Sequence, residues 1–182
     1  MNTSGTTSEP PRFPPVPADD PRRDVTIVRA DDPGPTHLSV VGDTYTILVA
    51  GPDTGGRYTL IDMHVPPGSG PPPHRHDFEE MFTLLEGEVE VTFRGTRYLA
   101  RAGETINVPA NAPHQFRNAS DKPARLLCLC APAGQEEFFT EIGDRVASRT
   151  APPPDLDAAA RAGRLAKARE LAPRYRTELL TP

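Results

Sequence analysis

Apolar residues in the middle of the chain come in short runs, alternating with polar ones and separated by Gly, Pro, Asn and Asp. Val, Ile, Leu, Thr, Phe and Tyr dominate the runs, which predicts strands over 44–49, 58–65, 80–85, 88–93, 96–100, 105–108, 114–117 and 124–129. Turn chemistry recurs about every eight to twelve residues, which predicts an all-β sandwich or barrel. Glu86-Gly87 and Arg94-Gly95 read as tight hairpin turns, because glycine supplies the positive φ that other residues resist. After the last strand the period changes. Residues 134–146 (GQEEFFTEIGDRV) place Phe138, Phe139 and Ile142 three or four apart, which predicts a helix capping one end of the barrel. The run TAPPPD at 150–155 breaks the chain. Residues 156–172 read as a second helix with Leu165, Ala168, Ala172 and Tyr175 on one stripe, disrupted near its end by Pro173.

The first 35 residues have a different texture, with eight of the 23 prolines and little that is apolar. They predict a disordered arm with a short extended segment at 25–29. The expected organisation is therefore an arm over 1–35, a barrel over 36–143, and a linker with a helical tail over 144–182.

Composition narrows the function. The chain has 182 residues, the size of one ordinary domain. Its 23 prolines and 14 glycines exclude a coiled coil or other long-helix architecture. No apolar run approaches the length of a membrane span. A net charge of −5 without a basic face argues against nucleic acid. The N-terminus lacks the basic start and apolar block of a secretory signal, and two cysteines make no disulfide framework, so a cytoplasmic setting is expected. Cys128 and Cys130 share a strand face and read as small buried filler, since a C-x-C metal site lacks partners in the sequence.

The chemistry concentrates in two stretches. In 68–87 (GSGPPPHRHDFEEMFTLLEG), His74 and His76 are two apart, which on a strand puts both imidazoles on one face. Glu80 follows just past a bend and is expected to return alongside them on the neighbouring strand. In 103–118 (GETINVPANAPHQFRN), His114 sits on a separate strand. Three imidazoles and one carboxylate form a mixed nitrogen and oxygen set that suits a divalent first-row metal with open positions left over.

These stretches resemble the two motifs of the cupins. The first cupin motif is G, five residues, H-x-H, three or four residues, E, six residues, G, and Gly68, His74, His76, Glu80 and Gly87 satisfy it. The second is G, five residues, P-x-G, two residues, H, three residues, N, matched by Gly103, Pro109, His114 and Asn118. Asn111 stands where the family has Gly, and Asn tolerates a left-handed backbone better than other non-glycine residues. The resemblance covers about 40–143 and implies a small cupin barrel, a double-stranded β-helix or jelly roll, with C-terminal helices. It also implies one divalent metal ion (Fe, Mn, Ni, Co or Zn) held by His74, His76, Glu80 and His114.

The phrases PPGSGPPPHRHDFEEMF and APAGQEEFFTEIG are similar to those of bacterial single-domain quercetinase-like cupins. That likeness implies an O2-using dioxygenase acting on a flavonol or another enol-bearing aromatic, with Glu80 as base as well as ligand. A non-oxidative isomerase, cyclase or lyase is the alternative, and a cupin that binds a small molecule without turnover is a third. Strand alternation extends the pocket: if Glu80 and His114 point inward, so do Phe82, Leu84 and Phe116. His64 is either a pocket residue or a dimer-interface residue, because the phase of 58–65 is open at this point. Open strand edges are commonly covered by pairing, so a homodimer is expected, with 25–29 or the first strands joining the partner's sheet.

Overall fold

Alternating runs become two facing antiparallel sheets in the computed structural model, which describes residues 13–181. The strands are β1 (Thr36–Val40), β2 (Asp43–Val49), β3 (Thr59–Val65), β4 (His74–His76), β5 (Glu79–Glu86), β6 (Glu88–Phe93), β7 (Thr96–Arg101), β8 (Thr105–Val108), β9 (His114–Arg117), β10 (Ala124–Ala131), β11 (Asp144–Arg145) and β12 (Thr177–Leu179). One sheet runs in the order β11-β1-β2-β3-β10-β5-β8, and the other in the order β12-β4-β9-β6-β7. Helix α1 (Gly51–Thr54) is a single turn between β2 and β3, α2 (Gln135–Ile142) follows β10, and α3 (Ala158–Leu171) runs into a 3₁₀ turn at Ala172–Tyr175. This is an all-β jelly-roll barrel with helices at its C-terminal side. No helix among the described residues is long and apolar enough to cross a membrane.

The period of two decides what lies between the sheets. Ile61, Met63 and Val65 of β3 are buried with Phe82 and Leu84 of β5, Val89 and Val91 of β6, and Leu126, Cys128 and Cys130 of β10. The opposite face of β3 carries Asp62 and His64. Asp62 is sealed there by Arg125, whose Nε and Nη2 reach its Oδ2 at 2.9 and 2.7 Å.

Several sequence expectations are changed by the fold. Arg94-Gly95 is a two-residue hairpin between β6 and β7, with φ of 48° and 83°. Glu86-Gly87 is no hairpin, because β5 and β6 belong to different sheets. Gly87 (φ 74°) instead turns the corner between sheets, and a Cβ there would lie 2.8 Å from the Pro123 carbonyl oxygen. The segment 25–29 forms no strand, and Val25 and Ile27 stand exposed. Residues 1–12 of the expected arm lie outside the described residues.

At the C-terminal side, Gly143 stops α2 earlier than the pattern suggested. Asp157 caps α3, its side chain accepting from the Ala160 amide. Beyond Pro173 the chain adds β12, which pairs with β4 in the register Thr177↔His76, Glu178↔Arg75 and Leu179↔His74. Arg75, facing outward between the two histidines, is ion-paired with Glu178.

Candidate metal centre

The H-x-H unit is a three-residue strand whose two imidazoles face the interior while Arg75 faces out. On its other side β4 pairs with β9 through His74↔His114. These three imidazoles therefore come from one sheet. Glu80 comes from the facing sheet, at the start of β5, and not from a strand beside β4 as the sequence suggested. The four side chains meet between the layers, and each has one potential ligand atom within 4.8 Å of the others.

Backbone carbonyls fix the imidazoles. Nδ1 of His74 donates to the Pro72 carbonyl at 2.9 Å, that of His76 to Phe78 at 3.0 Å, and that of His114 to Ala112 at 2.9 Å. A carbonyl only accepts, so the proton sits on Nδ1, and in the neutral ring Nε2 is left with a lone pair. The Nε2 atoms of His76 and His114 each lie 3.0 Å from the same Glu80 Oε2. Two lone pairs and a carboxylate oxygen at that distance repel unless positive charge sits among them. The donor set thus fits a cation: ring tautomers are pre-set by carbonyl partners, as metal-ligating histidines require.

The electrostatics favour positive charge between Glu80 and the rings, whether a proton on His114 or a cation in its place. Burial, aided by the charge of His114, pushes His74 down to about 4, so it is neutral near pH 7. Burial opposes charge on His114, yet the Glu80 carboxylate outweighs it and raises His114. Burial likewise opposes the Glu80 anion, but His114 and His76 outweigh it: positive charge shared with their Nε2 atoms holds the carboxyl below the usual range.

Local packing holds these strands in place. His76 stacks on Phe78 with ring centroids 3.9 Å apart. Asn118, the last motif position, is a structural residue: its Nδ2 donates to the carbonyls of Val65 and Lys122. Asn118 also bonds the 68–70 loop through its backbone. There Gly70 (φ 144°) lies so close to β9 that a Cβ would stand 2.2 Å from the Phe116 carbonyl oxygen. Asn111, at φ 67°, takes the left-handed turn expected of it.

His74 and Glu80 line a cavity of about 540 Å³. Tyr45, Met63, Phe82, Phe116, Phe138 and Phe139 give it apolar walls, and Phe82 meets Phe116 edge to face at 5.4 Å. His64 is not among its residues and lies on the outer face of β3, half-buried opposite Thr44 and Arg125. The tail supplies a further wall, whose position has no local signal in the sequence. Pro153, Leu156, Arg161 and Leu165 close one side of the cavity, joined by Thr177 and Leu179 of β12. Weak amphipathicity was the available signal, but nothing local said which surface the helix would cover.

Cys128 and Cys130 are buried on one strand face, as expected, and the fold sets them beside Glu80. Cys130 is the cross-strand partner of Glu80, and Cys128 that of Phe82. Their sulfurs lie 3.8 and 3.4 Å from Glu80 Oε1 and 3.7 Å from each other. Burial pushes the Cys128 thiol up. Glu80 thus faces imidazoles with one oxygen and thiols with the other.

Known proteins resemble the chain over the barrel. The family model described as a cupin domain matches residues 61–130. Quercetin 2,3-dioxygenase of Bacillus subtilis (strain 168) is 30% identical over 100 residues, which is 54% of this chain and 29% of that protein. The chain therefore spans less than a third of that enzyme's length. The uncharacterized protein MJ1618 of Methanocaldococcus jannaschii is 33% identical over 89 residues, 48% of this chain and 70% of that one. In fold, the chain is similar to the polyketide cyclase RemF from Streptomyces resistomycificus, with a TM-score of 0.51 and 20% identity, covering 74% of this chain and 89% of that one.

Proposed function

The chain belongs to the cupin family, and from that premise we propose that it is a metal-dependent enzyme for a small, largely apolar organic molecule, most specifically a quercetinase-like dioxygenase using O2 on an enol-bearing aromatic. The observation that carries this reading is the convergence of three pre-oriented imidazole nitrogens and one carboxylate at the wall of an aromatic-lined cavity. His74, His76, Glu80 and His114 would hold one divalent ion. Such an ion, when bound, polarises a coordinated oxygen and makes a substrate hydroxyl easier to ionise.

The protein's own groups supply the rest. Phe82 and Phe116 offer ring faces and edges to a flat substrate, and the apolar walls exclude water. Glu80 is the base: its carboxylate, on a residue that lines the cavity, takes the enol proton. His74 stays neutral beside it and adds no competing proton. The similarity to a quercetin dioxygenase supports the oxidative reading. A homodimer in the cytoplasm completes this proposal, and light scattering showing a monomeric mass would remove the dimer from it.

The test is O2 uptake by metal-free protein reloaded in turn with Fe, Mn, Co, Ni or Zn and offered flavonols and β-diketones. Consumption of O2 with ring cleavage, lost in His76→Ala and Glu80→Gln, is the expected result. Loaded protein that consumes no O2 across that panel overturns the dioxygenase. Turnover under strict anaerobiosis replaces it with the isomerase, cyclase or lyase reading.

A further inference from the structure

The two cysteines extend the chemistry of the centre in a direction the cupin motifs do not include. Antiparallel pairing sets Cys130 directly opposite Glu80, and the period of two puts Cys128 on the same inward face. The result is a triangle of Glu80 Oε1, Cys128 Sγ and Cys130 Sγ with edges of 3.4, 3.8 and 3.7 Å. A tetrahedral ion provides a measure for these edges. With metal–sulfur bonds of about 2.3 Å and a metal–oxygen bond of about 2.1 Å, two sulfurs stand about 3.8 Å apart and each stands about 3.6 Å from the oxygen. The triangle matches one face of such a coordination sphere before any ion enters.

We propose that Glu80, Cys128 and Cys130 form a second cation seat, for a thiophilic ion such as Zn2+ or Cd2+, which shares the Glu80 carboxylate with the imidazole seat. Oε2 serves His76 and His114, while Oε1 serves the sulfurs. Binding forms two metal–sulfur bonds and one metal–oxygen bond, and the two thiol protons leave to solvent. There is no oxidation or reduction. Both cysteines are fully buried, and of the three residues Glu80 lines the cavity, so the ion enters by way of that carboxylate. An ion there engages the group assigned above as base, which makes thiophilic metals antagonists of turnover. The seat itself stands independently of which reaction the cavity carries out.

The protein's own composition makes the experiment clean, since Cys128 and Cys130 are the only cysteines in the chain. Metal-free, reduced protein is titrated with Cd2+ while its near-ultraviolet absorption is followed. The expected result is a thiolate-to-metal charge-transfer band in the wild type. The band should persist in His76→Ala, which breaks the imidazole seat, and vanish in the double variant Cys128→Ser/Cys130→Ser. Cd2+ bound by the wild type without that band overturns the proposal, and needs no variant to fold. A band present in the wild type but lost in a folded His76→Ala overturns it too, because cysteines and histidines would then serve one mixed site.

Discussion

Asp43 is a carboxylate in the wrong solvent, and its titration can be followed without knowing any substrate. It opens β2 with no exposed surface, one oxygen accepts from the Tyr45 hydroxyl at 3.3 Å, and the other has no hydrogen-bond partner. Burial raises its pKa from the ordinary 3.8 to about 7. The sign follows from linkage: between those values the folded chain holds a proton that the unfolded chain has released, so stability falls as pH rises from about 4 to 7 and is flat above. A gap of about three units corresponds to about 4 kcal/mol. The substitution Asp43→Asn removes the titration and leaves a group of nearly the same shape, whose amide can donate to the Tyr45 oxygen. Urea unfolding of both proteins at intervals from pH 4 to 8 measures the effect as a difference of two curves, in which other titrating groups cancel. The Asp43→Asn variant should gain steadily on the wild type as pH rises, by up to about 4 kcal/mol between about pH 4 and 8. Parallel curves would refute the reasoning, since they would mean that the carboxylate ionises as freely in the fold as in water.

Three further substitutions probe the frame around the centre. Arg125→Ala strips Asp62, itself fully buried, of the guanidinium that reaches its Oδ2 and leaves only Arg149 at 3.9 Å, so denaturation should report a loss of about 3 kcal/mol, partly recovered when Asp62→Ala is added. Gly70→Ala drives a methyl to 2.2 Å from the Phe116 carbonyl oxygen, which forces β9 to move; calorimetric titration should show metal affinity lowered by about tenfold, alongside a stability loss of about 2 kcal/mol. Phe138→Ala removes a ring buried between Phe139 and Tyr175, and should lower stability by about 3 kcal/mol or more while enlarging the cavity, which binding of a larger apolar dye would register.

Strands with a strong period of two were legible from the residues. The runs 88–93, 105–108 and 114–117 match β6, β8 and β9 to the residue, because each has a Gly or Pro close beside at least one of its ends. β1 was missed because its turn to β2, Val41-Gly42, sets a valine at φ 48°, a conformation that local turn rules assign to other residues. β12 was missed for a different reason: TEL has no strand signal of its own, and exists because β4 needs a second neighbour. The candidate ligands could be named from spacing, but not the layers they come from. Glu80 lies four residues from His76 and yet belongs to the facing sheet, since the bend at Asp77-Phe78 carries the chain across. The phase of β3, and with it the outward placement of His64, needed Asp62 and Arg125 to be seen together.

The pairing of β12 with β4 also sets a timetable. The strand that carries His74 and His76 gains its outer neighbour from residues about 100 positions later, a long closure for so few hydrogen bonds. During translation His74, His76, Glu80 and His114 all leave the ribosome well before Thr177 does. The nascent chain therefore carries its candidate donors with one flank of their strand unsupported until the last residues emerge.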